Sequence, residues 1–364
     1  MTKTSTKWTL RDAMRLSHPK GVDPAVGEFI LRGNITEDAP AILGGFKAMQ
    51  NASSVKEVLA ILAEHKNLPW ETIPTQFLRE PKVWKALFAN NALNGQALVR
   101  NVTRLARIGA FKDMQFAADY AARLTDERMI ERTRLHPLNY LNALVVHKDG
   151  QVDRRGGYGY WGGYRNKDWT TSSVIAGALE DGFYKSFKYV EPANKATLVA
   201  LDVSGSMSSM AMGLDLSCYE VEAAMAMTIV RTEPAFEVVG FSHQLVGIDI
   251  TKNDSLESAM NKVKRVRMGA TDVSLPAIYA ASRGLKVDTF VTFTDNETWS
   301  GAVKPFQALR NYRDMTGIPA RQVVVGLNST GFTVADPKDA LSLDIVGGDA
   351  NLPRLIAEFS AGRI

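Results

Sequence analysis

An apolar run that stops on an acid constrains this chain more than any other feature. Leu198-Val199-Ala200-Leu201 reads as a strand buried on both faces, the habit of parallel sheets covered by helices. It leads into Asp202-Val203-Ser204-Gly205-Ser206-Met207, and the segment from Glu220 to Arg231 then reads as a helix. An acid and two serines at alternating positions therefore leave the carboxyl end of a strand. That is where open α/β sheets place their ligands.

The surrounding pattern fits such a sheet. Strand candidates are Leu198 to Asp202, Phe236 to Phe241, Leu245 to Ile250, Phe290 to Thr294, Gln322 to Leu327 and Leu343 to Val346. Helical stretches fall between most of them, at Tyr219 to Arg231, Ser255 to Val263, Leu275 to Arg283 and Val303 to Arg313, with Leu352 to Phe359 last. Residues 191–364 are expected to form a doubly wound α/β domain.

Two more loops belong with Asp202. Gly269-Ala270-Thr271-Asp272 precedes a helix, and Thr294-Asp295-Asn296-Glu297 follows a strand. Mg²⁺ wants an octahedron of oxygens and keeps several waters, so one or two carboxylates with hydroxyls suit it. Asp202 and Asp295 would supply charge, and Ser204, Ser206 and Thr271 hydroxyl ligands. One position stays open for a carboxylate or phosphate from a partner. The bland alternative for Ser204 or Ser206 is a helix N-cap. Together the three loops resemble the metal-ion-dependent adhesion site of von Willebrand factor A (vWA) domains.

Catalysis finds less support. A serine nucleophile needs a general base, and none of the three loops contains histidine. His243 follows a strand candidate, where capping or packing is the simpler role. A Mg²⁺-dependent phosphoesterase, with Asp202 and Asp295 orienting a water, is the remaining enzymatic alternative. The protein is expected not to be an enzyme.

The first half is different in kind. From Trp8 to about Leu144 apolar residues recur at helical spacing, as in Val55-Val58-Leu59-Leu62, Val83-Leu87 and Leu98-Val102-Leu105, with Pro and Gly between the segments. Residues 1–190 are expected to stack as helical hairpins of HEAT type, and Ser172 to Lys188 to add a further helix. Charge divides the same way. The chain carries +4 overall, but residues 1–190 hold 27 Lys/Arg against 19 Asp/Glu, whereas residues 191–364 hold 16 against 20. Arg11-Arg15, Lys82-Lys85 and Arg100-Arg104-Arg107 each align on one side of a helix, either as phosphate contacts or as an ordinary solvated face.

Near residues 150–169 the composition changes to Arg154-Arg155-Gly156-Gly157-Tyr158-Gly159-Tyr160-Trp161-Gly162-Gly163-Tyr164-Arg165. Its rings and cations could clamp single-stranded RNA, or the rings could tuck between the domains as glue. The single cysteine, Cys218, rules out an intramolecular disulfide framework and a cysteine zinc site. No stretch is long and apolar enough to span a membrane, so a cytoplasmic protein is expected.

Longer motifs point to a family. Trp8-Thr9-Leu10-Arg11-Asp12-Ala13-Met14-Arg15-Leu16-Ser17-His18-Pro19-Lys20 resembles the helix that opens the second half of the TROVE module of Ro ribonucleoproteins. Lys82-Val83-Trp84-Lys85-Ala86-Leu87, His136-Pro137-Leu138 and Ala178 to Lys188 are similar to the same module. The carboxyl half adds the three metal-type loops and Asn328-Ser329-Thr330-Gly331-Phe332-Thr333-Val334-Ala335-Asp336-Pro337.

The resemblance implies helical repeats, here a partial TROVE domain, closed by a vWA-type domain. It implies an RNA-binding scaffold that takes small non-coding Y-like RNA and the single-stranded 3′ ends of structured or misfolded RNA, in RNA quality control. A 3′-to-5′ exoribonuclease tethered through the RNA is a further implied partner. His18 matches a histidine that the family ties to Y RNA; its plain alternative is a buried hydrogen-bonded histidine at a helix end. With Lys20 it joins the basic residues above as a candidate RNA contact. The family carries a long helical stretch before the position of Trp8, where this sequence has seven residues. Either an open groove or a homo-oligomer completing the ring is expected. The Gly/aromatic insert departs from the family and is a candidate substitute for RNA contacts. A metal-dependent protein-interaction module is the alternative function.

Overall fold

Local capping fixes where the first helices begin. The computed structural model describes residues 9–150, 168–266, 269–295, 301–328, 334–348 and 352–364. Thr9 and Asp12 form a reciprocal capping box that starts α1 (Leu10–Ser17). Asp23 caps α2 (Pro24–Arg32), which has proline in its first turn. α3 (Ala41–Asn51), α4 (Val55–Glu64), α5 (Pro81–Ala89) and α6 (Gln96–Arg100) follow. By packing, the chain divides into one unit of Met1–Ala97 with Ile108–Lys112 and another of Leu98–Arg107 with Asp113–Ile364.

In the first unit sequence neighbours pack as pairs, α1 with α2, α3 with α4, and α4 with α5. Val58, Leu62, Val83 and Leu87 are all buried, as their spacing predicts. Trp84 is buried among them and satisfies its indole by donating to the Leu78 carbonyl at 2.9 Å.

The second unit contains helices and sheet together. Its helical layer is α7 (Val102–Arg107), α8 (Met114–Leu124), α9 (Glu127–Thr133), α10 (Pro137–Asp149) and α11 (Ser173–Ser186). Leu98, Val102 and Leu105, expected on one helix, fall on two, because the chain turns at the buried Asn101 between α6 and α7. α10 and α11 lie against each other at close range: a Cβ added at Gly182 would stand 2.3 Å from the Tyr140 ring. That ring is buried, and its hydroxyl donates to the Leu124 carbonyl at 2.9 Å.

The sheet elements are β1 (Ala196–Asp202), α12 (Cys218–Thr232), β2 (Ala235–Phe241), β3 (Leu245–Gly247), α13 (Leu256–Arg265), α14 (Leu275–Arg283), β4 (Thr289–Thr294), α15 (Pro305–Thr316), β5 (Arg321–Gly326), β6 (Ser342–Val346) and α16 (Leu352–Ser360). Strand order is β3-β2-β1-β4-β5-β6, parallel except for the antiparallel edge strand β3. β3 is shorter than its apolar pattern predicts; Ile248 and Ile250 are buried but leave the ladder. α14 and α15 cover one face through Ala277, Ala280, Leu309 and Tyr312 against Leu198 and Ala200. α12 packs on β1 and β2, and α10 packs on α12. Cys218 and the run Glu220 to Val230 are therefore buried, unlike an amphipathic surface helix.

Hydrogen bonds and guanidinium–ring contacts tie the helical layer to the sheet elements inside this unit. The Asp215 amide donates to Asn142 Oδ1 at 2.9 Å, and the Leu256 amide to the Tyr184 hydroxyl at 3.0 Å. The Arg231 guanidinium lies 5.2 Å from the Tyr184 ring centre and 5.0 Å from that of Phe187. α7 to α11 and the sheet elements thus share one packing unit.

Candidate functional site

Parallel register brings two acids to one edge of the sheet. β1 is central, and its Leu201 pairs with Phe293 of β4, so the two strands end side by side at Asp202 and at Thr294-Asp295. Asp202 is buried and bridges the two ends. Its Oδ1 accepts the Ser204 amide at 3.0 Å and its Oδ2 accepts the Thr294 hydroxyl at 2.8 Å. The first bond turns the chain sharply out of the strand.

That turn presents the serines. Ser204 Oγ and Ser206 Oγ lie 3.0 Å apart, the former buried and the latter exposed. Ser204 precedes the short 3-10 turn Gly205–Ser208, but its side chain makes no capping bond there. Nor does either serine cap α12, whose start is held by Ser217 donating from its amide and hydroxyl to Glu220. The N-cap alternative is therefore set aside for both.

Thr271 is buried at the neighbouring edge. The amide of Asp272 next to it donates to the Ser242 carbonyl, just past β2, at 2.8 Å. Asp272 itself serves the turn into α14, accepting the Ser274 amide and hydroxyl. Asp295 is buried, and its Oδ1 has no hydrogen-bond partner. Asn296 and Glu297 lie outside the described residues. His243 is exposed, with Nδ1 3.2 Å from Ser242 Oγ.

Sequence reasoning misses two contributors. Thr294 reads only as the end of a strand, and Glu222 as part of a helix. Glu222 is fully buried on α12, neither carboxylate oxygen has a hydrogen-bond partner, and it lines the same depression as Asp202 and Ser204. Nothing in the residue pattern separates it from Glu220, which forms a capping box.

The electrostatics follow from burial. Burial pushes the Asp202 carboxyl up to about 6 against its bonds from Ser204 and Thr294, and the charge of Asp295 adds to the rise. Burial, then the charges of Asp202 and Asp295, push Glu222 well above the usual carboxylate range, with the nearby Asp202 amide offsetting a part. Three buried acids thus act on one another. Such a group is costly unless a cation compensates it. Among the described residues no three of His, Cys, Asp and Glu converge on one ligand position, so a cation here would also need hydroxyl oxygens. Ser204, Ser206 and Thr271 are of the right kind for Mg²⁺.

The candidate RNA contacts are scattered over both units. Arg15, His18 and Lys20 are exposed on and just after α1, where His18 adopts φ 43° and its amide ends the helix on the Met14 carbonyl. The histidine is not buried. Arg11 is half-buried and its Nε donates to the Ile30 carbonyl at 3.3 Å. On α5 Lys82 is exposed and Lys85 half-buried. Arg100, Arg104 and Arg107 are exposed in the second unit. Arg154, Arg155, Tyr158, Tyr160, Trp161, Tyr164 and Arg165 lie outside the described residues.

Comparison with known proteins finds two family domains in the chain. Residues 196–360 match the family described as the Ro60 vWA domain, and residues 64–154 the TROVE domain. The chain is 37% identical to RNA-binding protein RO60 of Deinococcus radiodurans over 368 aligned residues, covering 98% of the chain and 66% of the relative. It is 33% identical to RNA-binding protein RO60 of Caenorhabditis elegans over 324, covering 89% of the chain and 48% of that protein. The chain thus spans less than two thirds of the length of either relative. The crystal structure of the Deinococcus radiodurans RO (RSR) protein superposes with a TM-score of 0.84 at 36% identity, over 100% of this chain and 72% of that one.

Proposed function

The chain belongs to the Ro60 family of TROVE and vWA proteins, and from this we propose that it is an RNA-binding scaffold rather than a catalyst. The observation that carries the proposal is the match to RNA-binding protein RO60 over nearly the whole chain. Exposed Arg15, Lys20, Lys82, Arg100 and Arg107 supply phosphate contacts, with His18 beside the first two in sequence. Small Y-like RNA and single-stranded 3′ ends are the RNA classes we assign to it, in RNA quality control.

Phosphate neutralisation releases counterions, so affinity falls steeply with salt. In a polarisation titration of a labelled hairpin with a single-stranded 3′ tail, affinity should drop by about tenfold or more between 50 and 200 mM salt. Affinity that ignores salt overturns the phosphate mechanism. The same RNA incubated with Mg²⁺ should remain uncut. A larger assembly, and an exoribonuclease recruited through the RNA, are the extended form of the proposal. Leu10 and Leu16 stand exposed on α1, so we expect light scattering to give a mass that grows with concentration.

A cation at the vWA edge is a second proposal, favoured by the unpartnered Asp295 Oδ1 and the paired serine hydroxyls. Asp202 and Asp295 would hold a divalent cation, Mg²⁺ foremost, with Ser204, Ser206 and Thr271. When bound it would neutralise the buried acids and offer a position to a partner's carboxylate. Asp202→Asn should abolish that binding while RNA affinity stays within twofold of wild type. Equal loss of RNA affinity would instead make the site part of the RNA surface.

A further inference from the structure

Glu222 lies beside the proposed cation site, but its part in holding the ion has not been assigned above. It is fully buried in α12, and although the Asp202 amide lies nearby, neither carboxylate oxygen receives a well-formed hydrogen bond. Buried carboxylates are ordinarily paired or hydrogen-bonded, so one left bare marks a missing partner. The charged groups around it are few. Asp202 and Asp295 are close enough to raise each other's cost. Lys264 lines the same depression, but its ammonium lies 4.6 Å from the Tyr219 ring centre and gives neither Glu222 oxygen a hydrogen bond. The missing partner is therefore positive or a donor, and it enters from the side of Asp202 and Ser204.

We propose that Glu222 is the third acidic residue of the cation site, accepting hydrogen bonds from water molecules of a divalent cation held by Asp202 and Asp295. The proposal rests on the cation site proposed above and deepens it. Because no three acids converge on one ligand position among the described residues, Glu222 acts through water rather than as a direct ligand. Three carboxylates around one dication leave the site with negative charge to spare. That charge strengthens the hold on the cation, while an open position on it remains for a partner's carboxylate. Glu222 thus tightens the domain's hold on its metal.

Mn²⁺ serves as the probe, followed by electron paramagnetic resonance and calorimetry on the full chain. Wild type should bind one Mn²⁺ and Asp202→Asn none. Glu222→Gln should bind it about tenfold or more weakly. Metal-free Glu222→Gln should melt no lower than wild type, because an uncompensated buried acid has been removed. Glu222→Met, of similar volume, should behave the same way and guards against a folding defect peculiar to the amide. Wild-type Mn²⁺ affinity in both variants overturns the role of Glu222 and leaves the cation site standing. Variants that melt well below wild type without metal also overturn it, since they assign Glu222 to packing. A wild type that takes up no Mn²⁺ at millimolar concentration overturns the cation site and the Glu222 role together.

Discussion

Cys218 carries a chemical record of the acids around it. Burial first, and then the charges of Glu222, Asp295 and Asp202, push its thiol up to about 12. It is therefore a protonated, inert thiol at neutral pH. Iodoacetamide should leave the native protein unmodified at pH 8 and alkylate it fully in urea; rapid labelling of the native chain would contradict the placement of those acids. Asp254 has the opposite sign. Burial would raise its carboxyl, but Lys262, Ser258 and the Thr251 amide and hydroxyl outweigh burial and hold it well below the usual range. A depressed carboxyl contributes stability above the unfolded value of about 3.9 and loses it as pH falls. Asp254→Asn should cost about 2 kcal/mol at pH 7 in urea titrations. That cost should shrink by pH 3, and a penalty equal at both pH values would count against the linkage. Residue pattern alone singles out neither Glu222 nor Asp254. Asp202 announces itself by ending an apolar run, whereas those two acids acquire meaning only from partners, or a lack of them, far along the chain.

Whole elements are more legible than single side chains, because apolar runs report burial directly. β1, β4 and β5 are rich in apolar and β-branched residues, and the pattern places them to within two residues of their ends. β3 shows the limit of that signal. Ile248 and Ile250 are buried as their character predicts, but burial does not require pairing, and the ladder stops at Gly247. Asn101 shows another, since a polar residue can be buried at a break that the spacing of Leu98, Val102 and Leu105 spans without a gap. Close helix packing offers a sharper test. A methyl at Gly182 would run into the rigid, buried Tyr140 ring. Gly182→Ala should then destabilise by about 1–3 kcal/mol, despite the better helix propensity of alanine. A gain in melting temperature would mean that α10 and α11 can part cheaply.

At the scale of the molecule, the division of charge between residues 1–190 and 191–364 is readable directly, and so is the two-part family signature. Their physical link is the salt dependence of RNA binding. Arg15→Glu with Lys20→Glu alters two exposed residues, so folding should be unaffected. The logarithmic salt slope should lessen by about one for each phosphate that is no longer neutralised. An unchanged slope would remove the end of α1 from the RNA surface. The division into compact units is not readable, because it depends on which layers touch and not on what they are made of. Arg231 makes the outcome concrete, lying against the rings of Tyr184 and Phe187 while Tyr184 also receives the Leu256 amide. Excision of residues 191–364 as a free-standing sheet would strip those rings from the guanidinium and bare the α10 side of α12. In packing, those rings and the α10 side of α12 belong with the sheet, in a unit that starts near Leu98.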